Sequence, residues 1–301
     1  MVVGLLKSLR PKQWSKNLLV FAGLLFTIQQ RHPPGTLFTV LAAFGLFCAV
    51  SGATYIFNDV LDMERDRKHP RKCNRPIACG AISKKAAIIF AAILLAGAIY
   101  ASFRLDIYFA ILISAYFILS AAYSISLKHV VIVDLFVIAA GFVIRAVAGA
   151  VVVRAIDPVT QAVYRVEISP WLLVCTSLLA LFLGLAKRRS ELTTLEDGAL
   201  AHRITLSQYN IPMLDQMLSI SAATTLMAYC LYTFTPLSKT GQAHPYLMMT
   251  IPFVIYGLFR YLFLVHGKNA GGQPELILLE DKPLLINVIL YVITAVIALK
   301  L

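Results

Sequence analysis

Apolar residues run along this chain in long uninterrupted blocks, and charged residues collect in the short stretches between them. Nine blocks, near 17–30, 37–57, 86–103, 107–125, 130–152, 170–186, 212–234, 246–265 and 284–300, are long enough to matter. At 1.5 Å per helical residue each approaches the span of a hydrocarbon core about 30 Å thick, allowing for tilt and ragged ends. The pattern predicts an all-α polytopic membrane protein, a bundle of nine transmembrane helices, forming one domain over 1–301 with polar loops at 58–85, 187–211 and 266–283. The first block has the length of a signal peptide. However, Ala22 and Gly23 lead into further apolar residues and not into a small-residue cleavage site, which keeps it among the spans. Composition agrees, with 59% hydrophobic and 14% charged residues, far from a soluble globular domain.

A net charge of +12 raises the question of nucleic acid, and the placement of the charges answers it. With the N-terminus in the cytoplasm, nineteen Lys and Arg fall in the cytoplasmic segments and five in the opposite ones. That bias orients the chain with its N-terminus inside and its C-terminus outside, in a cell inner membrane, and leaves no nucleic-acid partner to expect. Cys48, Cys175 and Cys230 fall within spans and Cys73 and Cys79 on the reducing side, so a disulfide framework is not expected.

The densest chemistry follows the second block, in NDVLDMERDRKHPRKCNRPIACG at 58–80. If the helix continues, Asn58, Asp62 and Asp66 stand at i, i+4 and i+8, with Asp59 three residues before Asp62, all on one face. Like charges so placed repel one another, and a cation is the natural compensation. Hard oxygen ligands suit Mg²⁺, which shares its remaining positions with substrate phosphates. The plainer reading is a solvated helix end whose acids pair with nearby Arg and Lys. Lys72 and Arg75 follow, flanked by prolines that end the helix, where a diphosphate would need positive charge; charge bias alone would also place them there.

A second charged patch, GLAKRRSELTTLEDG, carries Lys187, Arg188 and Glu191 and reads as an anion receptor more than a second metal cage. RPKQWSKN at 10–17, with Lys16, reads in the same way, with Trp14 as an interfacial anchor. In the fifth block Arg145 falls eleven residues after Asp134, about three turns on and within ~20° of the same face. Gly141, Arg145 and Gly149 form a small-Arg-small row that admits a close neighbour. An arginine at membrane depth costs at least about 2.5 kcal/mol, so it either serves substrate or locks the bundle through hydrogen bonds. Tyr123 and Lys128 lie at the same cytoplasmic edge. No GxSxG, P-loop or dinucleotide fingerprint occurs.

The N-D-x-x-D-x-x-x-D run at 58–66 resembles the first aspartate-rich motif of the UbiA superfamily of intramembrane prenyltransferases. Membership implies Mg²⁺ held by Asn58, Asp59, Asp62 and Asp66, and a second D-x-x-x-D motif on the sixth helix. At that place this chain has AKRRSEL, with cations where the first aspartate would be. Five segments together, LRPKQWSKNLLVFAGLLF at 9–26, HPRKCNRPIACG at 69–80, YSISLKHVVIVDLFVIAAGFVIRAVAGA at 123–150, AKRRSEL and QPELILLEDKPLL at 273–285, resemble the decaprenyl-phosphate phosphoribosyltransferase branch.

That resemblance implies transfer of 5-phosphoribose from phosphoribosyl pyrophosphate to a polyprenyl phosphate in the membrane lipid, toward arabinose donors for the cell envelope. Asp59, Asp62 and Asp66 then act in catalysis through the metal. Lys16, Asn58, Lys72, Arg75, Tyr123, Lys128, Asp134, Arg145, Lys187, Arg188 and Glu191 are the candidate substrate-binding residues. Two rivals stand beside it: a prenyltransferase acting on an aromatic acceptor, and a non-catalytic transporter or lipid-binding protein. A homo-oligomer is left open.

Overall fold

The computed structural model describes residues 2–68, 72–166, 169–195, 206, 208–234, 245–267, 272, 277–278 and 280–300. Parts of the three expected loops, including His69, Pro70 and Arg71, most of 196–207 and most of 268–276, lie outside the described residues. Eight helices among the described residues are long and apolar enough to cross a membrane, in keeping with the all-α polytopic expectation. The chain divides into two compact units, Met1–Leu24 with His32–Lys128 and Ile144–Val166, and Leu25–Arg31 with His129–Val143 and Glu167–Leu301.

The first unit opens with a short helix α1 (Val2–Ser8), a 3-10 segment (Pro11–Phe21) and α2 (Ala22–Leu25), in place of the single α-helix expected over 17–30. At about 2.0 Å rise per residue a 3-10 segment is longer for its residues than an α-helix, so Pro11–Leu25 still reaches about 28 Å. Close packing favours the narrower coil. A Cβ on Gly149 would lie 2.0 Å from the carbonyl oxygen of Val20, and one on Gly23 would lie 2.5 Å from Cα of Ala150. The remaining elements of this unit are α3 (Thr36–Leu61), α4 (Met63–Arg67), α5 (Lys84–Leu105), α6 (Ile107–Ile125), and a hairpin of β1 (Arg154–Ile156) and β2 (Val163–Arg165). Helix α7 (Val133–Val152) supplies residues to both units.

Helix α3 is the centre of the first unit and packs on α5, α6 and the 3-10 segment. Its Phe47 sits 5.7 Å from Phe109 and 5.5 Å from Tyr116, ring to ring, within a cluster that includes Val20, Val40, Val50 and Val152. A second cluster, of Leu9, Ile56, Val60, Ile77 and Ile82, lies toward the C-terminal end of α3, where the charged residues begin. Helices α5 and α6 instead expose Ile89, Ile93, Ile111 and Ile118, as expected of apolar faces meeting lipid.

In the second unit α8 (Pro170–Leu195) packs on α9 (Ile211–Phe234), and α10 (Ile251–Gly267) packs on α11 (Lys282–Lys300). The core there is Phe182, Leu185, Leu214, Leu218, Tyr261 and Leu264, with a tyrosine group of Tyr229, Tyr232 and Tyr291 beyond it.

Asp106 alone joins α5 to α6, and this explains the tightness of that hairpin. Its carboxylate caps α6 by accepting the amides of Tyr108 at 2.8 Å and Phe109 at 3.2 Å. It also accepts Arg154 at 2.7 Å and Arg165 at 2.9 Å, tying the β-hairpin to the turn. Burial, the largest single influence, would raise its pKa; the Phe109 amide, Arg154, Arg165 and the Tyr108 amide together outweigh it and hold the group below the usual carboxylate value. A depressed carboxylate stabilises the fold above its unfolded pKa of about 3.9, and the contribution disappears as pH falls through the lower folded value. Asp106→Ala is expected to cost about 1–3 kcal/mol, losing cap and ion pairs together, and the deficit should narrow below about pH 4 in thermal melts. A variant melting with wild type at pH 7 contradicts this.

Candidate functional site: a buried cluster of carboxylates and cations

The end of α3 was expected to carry its acids onward in helical register, and the backbone does so. The amide of Asp62 bonds to the carbonyl of Asn58 at 2.9 Å and that of Asp66 to Asp62 at 2.8 Å. The α-helix nevertheless breaks at Asp62, with φ −91° and ψ 6°, before α4 resumes. Asp62, at the break, has a partner of its own, while Asp59 and Asp66 on either side of it share another. Lys128 donates to both carboxylate oxygens of Asp62, at 2.9 and 3.2 Å. Asp59 and Asp66 turn instead to a single nitrogen of Arg75, at 3.0 and 2.6 Å. Asp59 also accepts Arg10, whose guanidinium lies over the ring of Tyr55, 5.0 Å from its centroid. Asp59 and Asp66 are each 3% exposed, so these contacts are what permit ionised carboxylates here.

Among the described residues no three His, Cys, Asp or Glu side chains form a metal cage. The donor chemistry still fits a hard divalent ion, because Asp59 and Asp66 aim hard oxygens at one point that Arg75 holds. A magnesium ion, which keeps several waters, asks for only one or two carboxylates.

Arg145 is held in a hydrogen-bond network within the first unit. Its Nε donates to Asn17 at 2.8 Å and its Nη2 to the hydroxyl of Tyr116 at 2.7 Å, with the guanidinium 4.6 Å from that ring's centroid. Asn17 in turn donates to Ser51 at 3.1 Å and to the sulfur of Cys48 at 3.3 Å. The network pins the 3-10 segment to α3, α6 and α7, one turn before the close approach at Gly149.

In the second unit the basic patch of α8 is largely internal. Arg188, 1% exposed, donates to Asp134 at 2.9 Å and to Glu191 at 2.6 Å. Arg189 is engaged by Asp215 and donates to the carbonyl of Val265 at 3.2 Å. Ile132, just before α7, has a φ of +69°, a strained value for a β-branched residue, and the hydroxyl of Tyr209 accepts its amide at 2.8 Å. Lys187 makes no ion pair among the described residues and is half-buried.

The model of the UbiA prenyltransferase family matches residues 18–277. The chain belongs to the UbiA prenyltransferase family. Among relatives, a protein named decaprenyl-phosphate phosphoribosyltransferase from Mycolicibacterium smegmatis is 33% identical, over 94% of this chain and 88% of that one. One of the same name from Mycobacterium tuberculosis is 31% identical, over 98% and 93%. A solved UbiA homolog from Archaeoglobus fulgidus, bound to GPP and Mg²⁺, shares the fold with a TM-score of 0.69 at 17% identity, over 99% of this chain and all of that one.

As a UbiA-family chain, it is an integral multi-pass membrane protein. Of the residues singled out in the sequence, Asn58, Asp59, Asp62, Asp66, Arg75 and Lys128 gather at the α3–α4 junction and its partners. Lys16 lies on the 3-10 segment, Lys72 on an exposed turn just before Arg75, and Tyr123 near the end of α6. Asp134, Lys187, Arg188 and Glu191 belong to the second unit. Arg10 lies in the RPKQWSKN segment read as an anion receptor, but nothing local in the sequence links it to Asp59, 49 residues later. Its one local sign is its place directly before Pro11 and the 3-10 segment, where the backbone takes a left-handed φ of +52°.

Arg188→Met takes the guanidinium from Asp134, which is fully buried, and is expected to cost about 3–5 kcal/mol. Asp134→Leu combined with Arg188→Met should recover most of that loss, because the fully buried charge is gone and only the partly exposed Glu191 loses a partner. Melting temperatures of the two variants check this; a double variant as unstable as the single one points to a role other than mutual neutralisation.

Proposed function

We propose that the chain is a polyprenyl-phosphate phosphoribosyltransferase, moving 5-phosphoribose from phosphoribosyl pyrophosphate to a decaprenyl-type lipid phosphate and releasing pyrophosphate. The observation that carries this reading is the likeness, along nearly the whole chain, to proteins named decaprenyl-phosphate phosphoribosyltransferase. The basic end of α8 supports it, since Lys187, Arg188 and Arg189 stand where a second carboxylate motif would serve a prenyl diphosphate.

In this reading Asp59 and Asp66, with Asn58 and Asp62 beside them, hold Mg²⁺. When bound, the ion neutralises the charge that develops on the departing pyrophosphate. Arg75 already lies against both carboxylates and presents a guanidinium fork to the same leaving group. An oxygen of the lipid phosphate attacks C1 of the ribose as the C1–O bond to pyrophosphate breaks and the pyrophosphate leaves with the bonding pair. The nucleophile is ionised at neutral pH, so no general base is needed. Lys128 fixes Asp62, and Lys187 is the candidate phosphate-binding cation of the second unit. The bias of nineteen cations against five supports an inner-membrane location with the N-terminus and the carboxylate cluster on the cytoplasmic side and the C-terminus outside.

The fold shared with a UbiA homolog bound to GPP and Mg²⁺ favours a second reading, transfer of a prenyl group to an aromatic acceptor. Purified protein supplied with labelled phosphoribosyl pyrophosphate, Mg²⁺ and polyprenyl phosphate is expected to form a labelled lipid, and with prenyl diphosphate and an aromatic acid no product. The reverse outcome installs the second reading. Asp62→Asn should lower turnover at least about a hundred-fold in the same assay while the protein stays folded in detergent; wild-type turnover removes the metal from the proposal.

For Arg145 the expected outcome is mainly structural. Arg145→Lys keeps the charge but cannot bond Asn17 and Tyr116 together, so the melting temperature should fall by several degrees with little change in the apparent KM for polyprenyl phosphate. An unchanged melting temperature with a raised KM assigns Arg145 to the lipid phosphate instead.

A further inference from the structure

We propose that Tyr209 is a positioning residue for Lys128: its hydroxyl holds a strained turn at the start of α7 in the form that delivers Lys128 to Asp62. The reaction served by that lysine rests on the function proposed above; the hold on Lys128 does not.

The connection from α6 to α7 is short. The amide of Ser126 closes α6 on the carbonyl of Ala122 at 2.9 Å, Leu127–His129 form one 3-10 turn, and α7 begins at Val133. Just before α7 the amide of Val133 reaches back to the carbonyl of Val131 at 2.8 Å, with Ile132 between them at a φ of +69°. A three-residue turn closed in this way around a positive φ is the strained form of the γ-turn, and a β-branched residue is poorly suited to it. Ile132 is 38% exposed, so burial of its side chain does not repay the strain. Its carbonyl starts α7 by accepting Leu135 at 3.0 Å and Phe136 at 3.2 Å, but an ordinary N-cap does the same from the β region.

The group that holds the turn comes from far along the chain. The hydroxyl of Tyr209, 77 residues on, accepts the amide of Ile132 at 2.8 Å. A further hydrogen bond joins Tyr209 to the carboxylate of Asp134, which is fully buried and fixed by Arg188 at 2.9 Å. Tyr209 itself is 5% exposed, so its hydroxyl has little freedom to turn elsewhere. An amide left without its acceptor in such surroundings is costly, and the hydroxyl therefore makes the strained form the favoured one.

Lys128 lies four residues before Ile132 and donates to both oxygens of Asp62, at 2.9 and 3.2 Å, with 13% of its side chain exposed. Such a two-pronged contact tolerates little movement of the backbone that carries the lysine. A turn relaxed to negative φ re-aims the chain entering α7, and Lys128 with it. The strain at Ile132 thus has a use, in the way that backbone strain is kept at working sites.

The test is amine acetylation of the purified full-length protein in lipid nanodiscs, read for each lysine by mass spectrometry, with exposed Lys84 and Lys85 as internal references. In wild type Lys128 is expected to label slowly. Tyr209→Phe keeps the ring and removes the acceptor, and should speed labelling of Lys128 at least about five-fold while Lys84 and Lys85 are unchanged. Ile132→Gly added to Tyr209→Phe should recover most of the lost protection, because glycine takes a positive φ without steric cost. A tyrosine that serves only packing, or only Asp134, gains nothing from glycine at 132. Wild-type labelling of Lys128 in Tyr209→Phe, faster labelling of every lysine alike, or no recovery with Ile132→Gly overturns the proposal.

In the turnover assay Tyr209→Phe should act only through Lys128. It is expected to lower kcat about five-fold in the wild-type background and less than about two-fold in the Lys128→Met background. Equal effects in the two backgrounds overturn the proposal. Failure of wild type to make the phosphoribosyl lipid would remove the proposed function and leave the labelling result standing, because labelling consumes no substrate.

Discussion

An ionised carboxylate with 3% exposure at the end of an apolar helix can persist only beside a cation, and much of this structure answers that constraint. At the α3–α4 junction Arg10 and Arg75 close on Asp59, Arg75 reaches on to Asp66, and Lys128 takes Asp62. Asp62, where the helix breaks, takes a partner of its own, and Arg75 offsets the repulsion between Asp59 and Asp66 on either side. In the second unit the same physics appears in Arg188 with Asp134 and Glu191, and Asp106 with two arginines repeats it at the α5–α6 turn.

These pairs require backbones that approach closely, and glycine supplies the approach where it matters most. Gly149 leaves room for the carbonyl of Val20, and Asn17, three residues before Val20, reaches Arg145. The 3-10 coil of Pro11–Phe21 is held in this way along one side by α3 and α7, and its first turn delivers Arg10. A regular α-helix there would be both wider and shorter for its residues. The price of that geometry is a left-handed Arg10, which makes the position a poor place for casual substitution.

The UbiA family fixes the architecture, while the chemistry depends on particular side chains grafted onto it. This chain shares its fold with a solved homolog bound to GPP and Mg²⁺, and its sequence is similar along nearly its whole length to relatives named decaprenyl-phosphate phosphoribosyltransferase. The α8 segment is where this chain departs from a paired-aspartate pattern, and its arginines are largely consumed by internal pairing, leaving Lys187 as the basic group there with no ion pair among the described residues.

Apolar block length and charge placement by themselves determined the all-α polytopic plan, because crossing a hydrocarbon core demands long helices whatever the partners. The spacing of Asn58, Asp59, Asp62 and Asp66 likewise marked the acidic junction, since helical periodicity is local. Only the tertiary structure decided which cation each acid meets. Arg10 with Asp59, Arg145 with Asn17 and Tyr116, and Arg188 with Asp134 join residues far apart in the chain, and no periodicity records such a pairing. The first block shows the same limit: its apolar composition suggested a ninth span, whereas the eight long apolar helices among the described residues begin at Thr36, and the block instead opens with a 3-10 coil that packs the carbonyl of Val20 closely against Gly149, more than a hundred residues away.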